Sequence, residues 1–280
     1  MAADRPAPWA SPEWHGFARE TDLATQLICA AANSIGHADY ANLGDYYVAL
    51  FGFANGLERL AKLAIAADFI RVHRSPPNET ELRKFGHKLP ALIGVLRTIE
   101  LRRAMVLTYA YPDDPITTAI IDCLDLFADA GRGRYANVAA LTGSTAKNDP
   151  VANWWSTVAE RILERHYRGT PRESRDKENI TLIEQLVGDS AQVLHHDELG
   201  HLMDDIGTAS RRTAECAVAQ KYGRFYTLRL VRWMSDLYGD IVWAGAYQEG
   251  IAILFGHEER VMTFRAPDHF LLTRKRWPLH

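Results

Sequence analysis

Arg161 and His166 are the residues of this sequence whose types and spacing best suit acid–base chemistry on a phosphate. An imidazole exchanges a proton near neutral pH, and a guanidinium stays charged and stabilises developing negative charge. Together they suit metal-independent cleavage of RNA, in which a 2′-hydroxyl proton must be moved. Because they lie five positions apart, they reach one phosphate only if the helix is distorted or a second subunit completes the site. The alternative is an amphipathic helix with a solvated basic face.

Further arginines are candidates for phosphate contacts. Arg165 and Arg168 lie beside the histidine, and in an earlier run a glycine precedes each of Arg132 and Arg134, with Tyr135 following. Glycines let the backbone approach a ligand, and an aromatic ring beside two guanidinium groups suits phosphate contact with base stacking. The same run can instead cap a helix, with arginine satisfying the last carbonyl groups. Both interpretations stay open.

A polar stripe runs along an otherwise apolar predicted helix. Asn55, Glu58, Arg59 and Lys62 recur at three- and four-residue spacings, which places them on one narrow face. Glu58 and Lys62 stand in the favourable order for an intrahelical ion pair, and we predict that both lie inside a helical bundle or at its dimer seam. His87 precedes a later helix, where we predict a structural role as a donor to a carbonyl or carboxylate. These five residues are called the polar seam.

Three segments, taken in order, resemble a known family. They are a helix carrying Gly56-Leu57-Glu58-Arg59-Leu60-Ala61-Lys62, a helix start at His87-Lys88-Leu89 and a helix closing on Arg134-Tyr135. Over about residues 17–140 this arrangement resembles the HEPN superfamily (higher eukaryotes and prokaryotes nucleotide-binding). The resemblance implies an up-and-down helical bundle, often dimeric, from toxin–antitoxin or phage-defence systems, with metal-independent endoribonuclease activity in many members.

The active members of this family carry an arginine followed, after four to six residues, by a histidine. No histidine follows Arg134 within that reach. The spacing does occur from Arg161 to His166, one helix later than the family pattern would place it. We therefore predict that any catalysis belongs to this pair.

Capping signals divide the chain into helices. A capping residue followed by proline, which the first helical position tolerates, occurs at Ser11-Pro12, Asp114-Pro115, Asp149-Pro150 and Thr170-Pro171. Asn78 and Glu81 have the spacing of a capping box. The predicted helices span about residues 12–35, 40–72, 79–85, 88–105, 115–131, 150–168, 172–187, 191–206 and 209–254, the last with a break near Gly239. Short strands are predicted only at Val261 to Arg265 and Phe270 to Thr273.

These elements predict an all-α protein. A HEPN-like up-and-down bundle would occupy residues 1–145, with a C-terminal helical extension over residues 146–280 packed on it, or both would form one continuous domain. The hydrophobic content of 47% is enough for a sizeable core. No apolar signal segment or bilayer-length run is present, so we predict a cytoplasmic protein without membrane contact. Cys29, Cys123 and Cys216 are predicted to be reduced, buried thiols.

Charge is balanced overall but uneven along the chain. Lys and Arg number 32 against 35 Asp and Glu, which excludes a globally basic nucleic-acid binder. From Arg71 to Arg103, eight cations against three glutamates give +5, and from Asp176 to Asp205, one lysine against eight acids gives −7. The basic stretch suits an anion and the acidic stretch a basic protein partner, although both can be plain solvated surface.

The leading predicted function is metal-independent RNA cleavage, or RNA or nucleotide binding, by a homodimer. The alternative is a non-catalytic protein-interaction module that docks a basic partner on its acidic stretch. No P-loop, dinucleotide-binding, nucleophile-elbow or kinase motif is present, and we predict no cofactor and no bound metal.

Two weaker candidates remain in the second half of the chain. Asp197, His201 and Asp205 recur every four residues and would share a helix face, either as ligands of a divalent ion or as a solvated, ion-paired surface. A second face could be a stacking platform for single-stranded RNA or, as we favour, part of a core helix. It comprises Tyr222, Tyr226, Arg229 and Trp233.

Overall fold

A computed structural model of the protein describes residues 7–129, 138, 149–190 and 192–279. Over these residues the fold is all-α, as predicted, with one small two-stranded sheet. The α-helices are α1 (Pro12–Ile35), α2 (Leu43–His73), α3 (Glu79–Lys84), α4 (Leu89–Arg102), α5 (Pro115–Ala128), α6 (Pro150–Trp154), α7 (Glu160–His166), α8 (Pro171–Val187), α9 (Ile206–Trp243) and α10 (Asp268–Thr273). The strands are β1 (His195–His196) and β2 (Leu202–Met203).

The predicted cap-and-proline signals do start helices. The side chains of Ser11, Asp114, Asp149 and Thr170 each accept a backbone N–H of the helix that follows, and proline takes the first position. The capping box at Asn78 and Glu81 forms with both of its hydrogen bonds. These starts depend on residues within one turn of each other, which is why the sequence predicts them well.

α1 and α2 are antiparallel and pack with their backbones close together. A Cβ atom at Gly52 would lie 2.8 Å from the carbonyl oxygen of Leu27, and one at Gly56 would lie 2.6 Å from Cγ1 of Ile28. The two glycines, one turn apart, therefore form the contact surface of α2 against α1. Most other sides of α2 are also buried, as its apolar sequence predicts.

α9 is the central helix of the second half of the chain. Its buried side chains, among them Trp233, Leu237 and Tyr238, join those of α2, such as Leu57, in one hydrophobic core. The core thus contains residues from both sides of position 145. In the part of the chain that the structure describes, no helix combines the length and apolar character needed to cross a bilayer.

The predicted helix over 150–168 is interrupted by a π-helical turn. α6 runs into π-helical residues Trp155–Ala159 before α7 begins. Trp154 and Trp155 are adjacent in sequence yet both fully buried, which the wider turn permits. The hydroxyl of Thr157 donates to the carbonyl oxygen of Asn153 at 2.7 Å and supports the local distortion.

The predicted helix over residues 191–206 is wrong. β1 and β2 form an antiparallel hairpin there, with His195 paired to Met203. Oδ1 of Asp197 accepts the backbone N–H groups of Leu199 at 2.9 Å and His201 at 2.8 Å, and Gly200 adopts a φ of 84°. This Asp-centred turn competes with the helix for the same backbone donors.

The C-terminal expectations also need correction. The predicted strands at Val261 to Arg265 and Phe270 to Thr273 are a 3-10 helix (Glu258–Phe264) and α10. Val261 and Phe264, three residues apart, are both buried, a helical rather than an alternating pattern. No break occurs at Gly239, which lies inside α9 where a Cβ would be 2.9 Å from Nη1 of Arg265.

Candidate functional site

His166, the predicted proton carrier, lies at the end of α7 against two tyrosines of α9. Its Nε2 is 2.9 Å from the hydroxyl oxygen of Tyr226, and its ring stacks on Tyr222 with centroids 3.7 Å apart. Arg165 donates to Oδ2 of Asp114 at 2.5 Å and to the Tyr226 hydroxyl at 3.2 Å. Five polar and aromatic side chains thus meet where α7 packs on α9 and the start of α5.

The surroundings of His166 favour its neutral form. Burial lowers the pKa of His166, and the positive charge of Arg165 lowers it further. Hydrogen bonds to Tyr226 and Asp114 raise the pKa of Arg165, which keeps the guanidinium charged. A neutral imidazole can accept a proton at pH 7, as a general base must.

Arg161 does not join this cluster. Its guanidinium donates back to the carbonyl oxygen of Thr157 and lines a groove of about 530 Å³. The other charged residues of that groove are Asp113, Asp114 and Asp122, so a phosphate entering it would meet more negative than positive charge. α7 is a regular α-helix from Glu160 to His166, and it presents the predicted catalytic pair on different faces.

Among the other predicted phosphate contacts, the structure describes Arg168 but not the run from Arg132 to Tyr135. Arg168 is paired with Glu160 and lies 3.6 Å from Glu164. Arg132, Arg134 and Tyr135 lie outside the described residues, so their predicted role stays a prediction.

The predicted stacking platform on α9 is part of the core. Tyr226 and Trp233 are buried, and the Trp233 indole donates to Oε2 of Glu100 at 3.1 Å. Arg229 lies over the ring of Phe225, with its Cζ 5.7 Å from the centroid. Buried rings cannot stack on a nucleic-acid base, and the favoured core-helix interpretation is the one the structure supports.

The polar seam gathers at the rim of the bundle, where Glu58 and Lys62 are partly exposed, and the predicted dimer seam at these two residues stays a prediction. The side chains of Glu58 and Lys62 are 23% and 26% exposed, with Oε1 and Nζ 2.7 Å apart. Arg59 pairs with Glu20 of α1, and Asn55 donates to the carbonyl oxygen of Phe51. Nδ1 of His87 lies 2.9 Å from Oε1 of Glu58, the carboxylate oxygen that also binds Lys62. The faces of α2 outside the polar seam are buried, which accounts for the apolar sequence of this helix.

Some acids of the stretch from Asp176 to Asp205 bind other groups of the same chain. Without the predicted helix, Asp197 and His201 face each other across the hairpin turn, and Asp205 caps α9 through the N–H of Thr208 at 2.7 Å. Among the described residues, no group of three or more His, Cys, Asp or Glu side chains is arranged to hold a metal ion. Nη2 of Arg212 lies 3.1 Å from Oδ2 of Asp197 and forms an ion pair with it.

The end of α8 presents apolar side chains to solvent. Residues 181–187 are all exposed. They include Leu182, Ile183, Leu186 and Val187. Surface of this kind suits contact with another protein. The predicted homodimer and the predicted basic partner stay predictions.

The three cysteines are free and buried, as predicted. Burial raises the thiol pKa of Cys29 and of Cys123 to about 12 and that of Cys216 further. Protonated, enclosed thiols of this kind are poor nucleophiles.

A groove of about 800 Å³ lies where the C-terminal ends of α2, α4 and α9 meet. Arg71 lines it from α2, and Arg102 and Arg103 line it from the end of α4. Trp243, the last residue of α9, forms an aromatic wall and is 48% exposed. The lining holds three arginines and one acid, Asp240, and the arginines are paired with Asp68 and Glu249 beside it, so these charges sum to 3 − 3, or zero. This is called the arginine–tryptophan groove.

Two acids hold the arginines of this groove in place. The largely buried carboxylate of Asp68 accepts from Arg102 and Arg103. Glu249 accepts from Nε of Arg71 at 2.9 Å. Burial alone would raise the pKa of Glu249, but the hydrogen bond and charge of Arg71 outweigh it and lower the pKa. The guanidinium groups are thereby oriented before any ligand arrives, which reduces the entropy lost on binding.

The backbone around the groove is specialised. Ala104 has a φ of 48° and ends α4, with its N–H bonded to Leu101 and that of Met105 bonded to Glu100. This is a Schellman turn with alanine where glycine is usual. A Cβ at Gly245, just after α9, would lie 3.1 Å from Cγ of Arg71, so this glycine allows the arginine stem to pass.

The sequence signals this groove only in part. The excess of positive charge from Arg71 to Arg103 predicts an anion site, and that stretch supplies the arginines. Trp243 was missed, because nothing in its neighbourhood along the chain distinguishes it from a core tryptophan. An exposed indole at a helix end becomes visible only when the neighbouring helices are in place.

Comparison of the chain with known protein families, with curated proteins and with solved structures finds no match. The fold and the groove define an all-α protein with an arginine-lined, aromatic-walled cleft.

Proposed function

We propose that the protein binds RNA or a nucleotide through the arginine–tryptophan groove. The observation that carries the proposal is the convergence of Arg71, Arg102 and Arg103 with the exposed indole of Trp243 on one groove. Guanidinium groups bind phosphate through paired N–H donors, and an indole stacks on any base. A volume of about 800 Å³ lies within the usual range for ligand clefts.

Arg102 is the most exposed of the three arginines on the groove. Arg102 is held by Asp68 and still has 55% of its side chain exposed, which leaves donor groups for a ligand. Arg71 is more enclosed and bound to Glu249, so it contributes mainly a fixed positive charge. A phosphate on Arg102 and a base on Trp243 would be neighbouring parts of one nucleotide.

Fluorescence anisotropy of a short labelled single-stranded RNA in EDTA tests the proposal. Trp243→Ala should weaken binding by about 1–3 kcal/mol, the usual contribution of a stacked base. Trp9→Ala is the matched control, because Trp9 is also exposed but does not line the groove. Displacement of the RNA by a mononucleotide would identify the smaller ligand as sufficient. Equal affinity of the two variants, or no binding by the wild type, would contradict the proposal.

Cleavage of bound RNA is a second proposed activity. It is favoured by the neutral imidazole of His166, which has a tyrosine hydroxyl at hydrogen-bond distance and the guanidinium of Arg165 nearby. Incubation of the purified protein with RNA in EDTA, followed by gel electrophoresis, tests it. Intact RNA after prolonged incubation would contradict this activity and leave the binding proposal standing.

A further inference from the structure

Three titratable side chains of the polar seam meet where α2 faces the turn before α4. Oε1 of Glu58 accepts from Nζ of Lys62 at 2.7 Å and from Nδ1 of His87 at 2.9 Å. Nζ of Lys62 lies 3.2 Å from Nδ1 of His87. The turn is fixed by Gly86, with a φ of 71°, and by Asp125, whose carboxylate accepts the backbone N–H of Leu89 at 2.8 Å.

The distances define the tautomer of His87. Lysine is only a donor and a carboxylate is only an acceptor, so Nδ1 cannot bond well to both. Lys62 is closer to Glu58 than to His87, and the Glu58 contact is the shorter of the two that His87 makes. Nδ1 therefore carries the proton and donates to Glu58, which leaves Nε2 as a free lone pair. Nε2 has no partner among the described residues.

Glu58 stays charged at neutral pH. Its partial burial alone would raise its pKa, but the hydrogen bonds from Lys62 and His87 outweigh burial and lower the pKa. The carboxylate is 23% exposed and the imidazole 83% exposed, so the acid is shielded while the base reaches solvent. A shielded carboxylate behind an accessible imidazole is the arrangement of a general acid–base pair.

The pair stands between two grooves that share Asn55 and Glu58. The polar groove, about 400 Å³, contains His87, Lys88 and Asp125. The amphipathic groove, about 490 Å³, contains Lys62 and a mainly apolar wall. That wall comprises Phe17, Leu63, Ala66, Pro76, Pro77, Leu82 and Ile253. A molecule with an apolar end in one groove and a polar end in the other would cross the Glu58–His87 pair.

We propose that this junction hydrolyses carboxylic esters of apolar acids, with His87 as general base. The acyl chain would occupy the amphipathic groove, with its carbonyl oxygen towards the Lys62 ammonium. Nε2 of His87 takes a proton from water as the water oxygen bonds to the carbonyl carbon, and Lys62 stabilises the resulting oxyanion. The ester C–O bond then breaks, and the protonated His87 returns its proton to the leaving alcohol oxygen. The products are the carboxylic acid and the alcohol, and Glu58 acts as a positioning residue.

Hydrolysis of p-nitrophenyl hexanoate and p-nitrophenyl acetate by the full-length protein tests this proposal. The wild type should show a kcat/KM for the hexanoate about tenfold higher or more, since the longer chain fills the apolar wall. His87→Ala should lower kcat/KM for the hexanoate about 100-fold. His37→Ala is the matched control, an exposed histidine outside both grooves, and should have no effect. His87 is exposed, so its removal leaves the fold intact.

Two further variants separate catalysis from nonspecific imidazole reactivity. Leu82→Ser, at an exposed position of the apolar wall, should reduce the preference for hexanoate over acetate with His87 still present. Glu58→Gln should lower kcat more than it raises KM, because the His87 imidazole loses the carboxylate that orients it. Equal rates for wild type and His87→Ala, or no chain-length preference in the wild type, would overturn the proposal. RNA binding is a separate measurement and is unaffected by either outcome.

Discussion

Arg212 donates from Nε to Oε2 of Glu198 over 2.7 Å, and the carboxylate of Glu198 is completely buried. The other carboxylate oxygen accepts from the Tyr46 hydroxyl at 3.1 Å and from the thiol of Cys216 at 3.2 Å. The Arg212 guanidinium also lies over the ring of Trp155, 3.8 Å from its centroid. One buried ion pair thereby ties the β-hairpin to α2, α9 and the π-helical turn.

Glu198→Ala should lower the free energy of unfolding by about 3–5 kcal/mol, because it leaves a buried guanidinium without this partner. Glu79→Ala is the matched control, since it removes an exposed i,i+4 pair with Arg83 and should change stability by about 0–1 kcal/mol. Urea denaturation monitored by circular dichroism measures both. Equal losses in the two variants would show that the buried pair is not a stability determinant.

Gly52→Ala should destabilise the protein by about 1–3 kcal/mol, because the new Cβ would meet the Leu27 carbonyl oxygen at 2.8 Å. Gly94→Ala is the opposite case in α4, where nothing lies within 4 Å of the added Cβ. It should raise the unfolding free energy by about 0.5–1 kcal/mol through helix propensity. Denaturant midpoints compare the two, and a midpoint of Gly52→Ala equal to or above that of the wild type would refute the close packing of α1 on α2.

His257 should make the protein sensitive to acid. Burial lowers the pKa of this fully buried histidine from 6.5 to about 4, where it stacks against Phe17 and lies at hydrogen-bond distance from the Ile253 carbonyl oxygen. In the unfolded chain His257 binds a proton below pH 6.5, whereas in the folded protein it stays neutral down to about pH 4. The free energy of unfolding should therefore fall between these values, by up to about 1.4 kcal/mol per pH unit.

His257→Gln removes this titration and can retain the hydrogen bond to Ile253. Its unfolding free energy, measured in urea from pH 7 to pH 4, should depend less steeply on pH than that of the wild type. Parallel curves for the two proteins would assign the acid sensitivity to other groups.

His166→Ala should reduce RNA cleavage in EDTA by about 100-fold or more, the usual cost of losing a general base. Arg161→Ala should change cleavage little, because the Arg161 guanidinium lies in a separate, acidic groove. Circular dichroism is the control for folding. Cleavage that persists in His166→Ala, or that needs a divalent ion, would remove His166 from the mechanism.

Arg165→Gln should change the pH dependence of that cleavage. The charge of Arg165 helps to lower the pKa of His166, so its loss raises that pKa and leaves more of the imidazole protonated at a given pH. The acid limb of the pH–rate profile should then move to higher pH. An unchanged limb would show that His166 does not act as the base.

Arg102→Ala should reduce the salt dependence of RNA binding. Loss of one phosphate contact lowers the slope of log K against log salt concentration by about 0.7 for a single strand. Arg83→Ala, at an exposed arginine of α3, should leave the slope unchanged. Anisotropy titrations across a salt series measure both, and identical slopes for the two variants would place the phosphate elsewhere.

Local signals in the sequence determined the fold class and most helix starts. Ser11-Pro12 and Asp114-Pro115 start helices because a side chain caps a backbone donor within one turn, an interaction that needs no distant partner. The same reasoning failed at Asp197, whose short side chain suits a turn as well as a helix. At this position the buried ion pair between the neighbouring Glu198 and Arg212 favours the hairpin over the helix.

The candidate sites depended on tertiary structure. Charge along the chain indicated the arginines from Arg71 to Arg103, but their meeting with Trp243 results from packing of α9 on α2 and α4. Spacing suggested one site for Arg161 and His166, and helix geometry with the packing of α7 on α9 gave them separate surroundings. The periodicity of a sequence shows which residues share a helix face. Which side chains meet across a groove depends on how distant segments pack to bury their apolar surface.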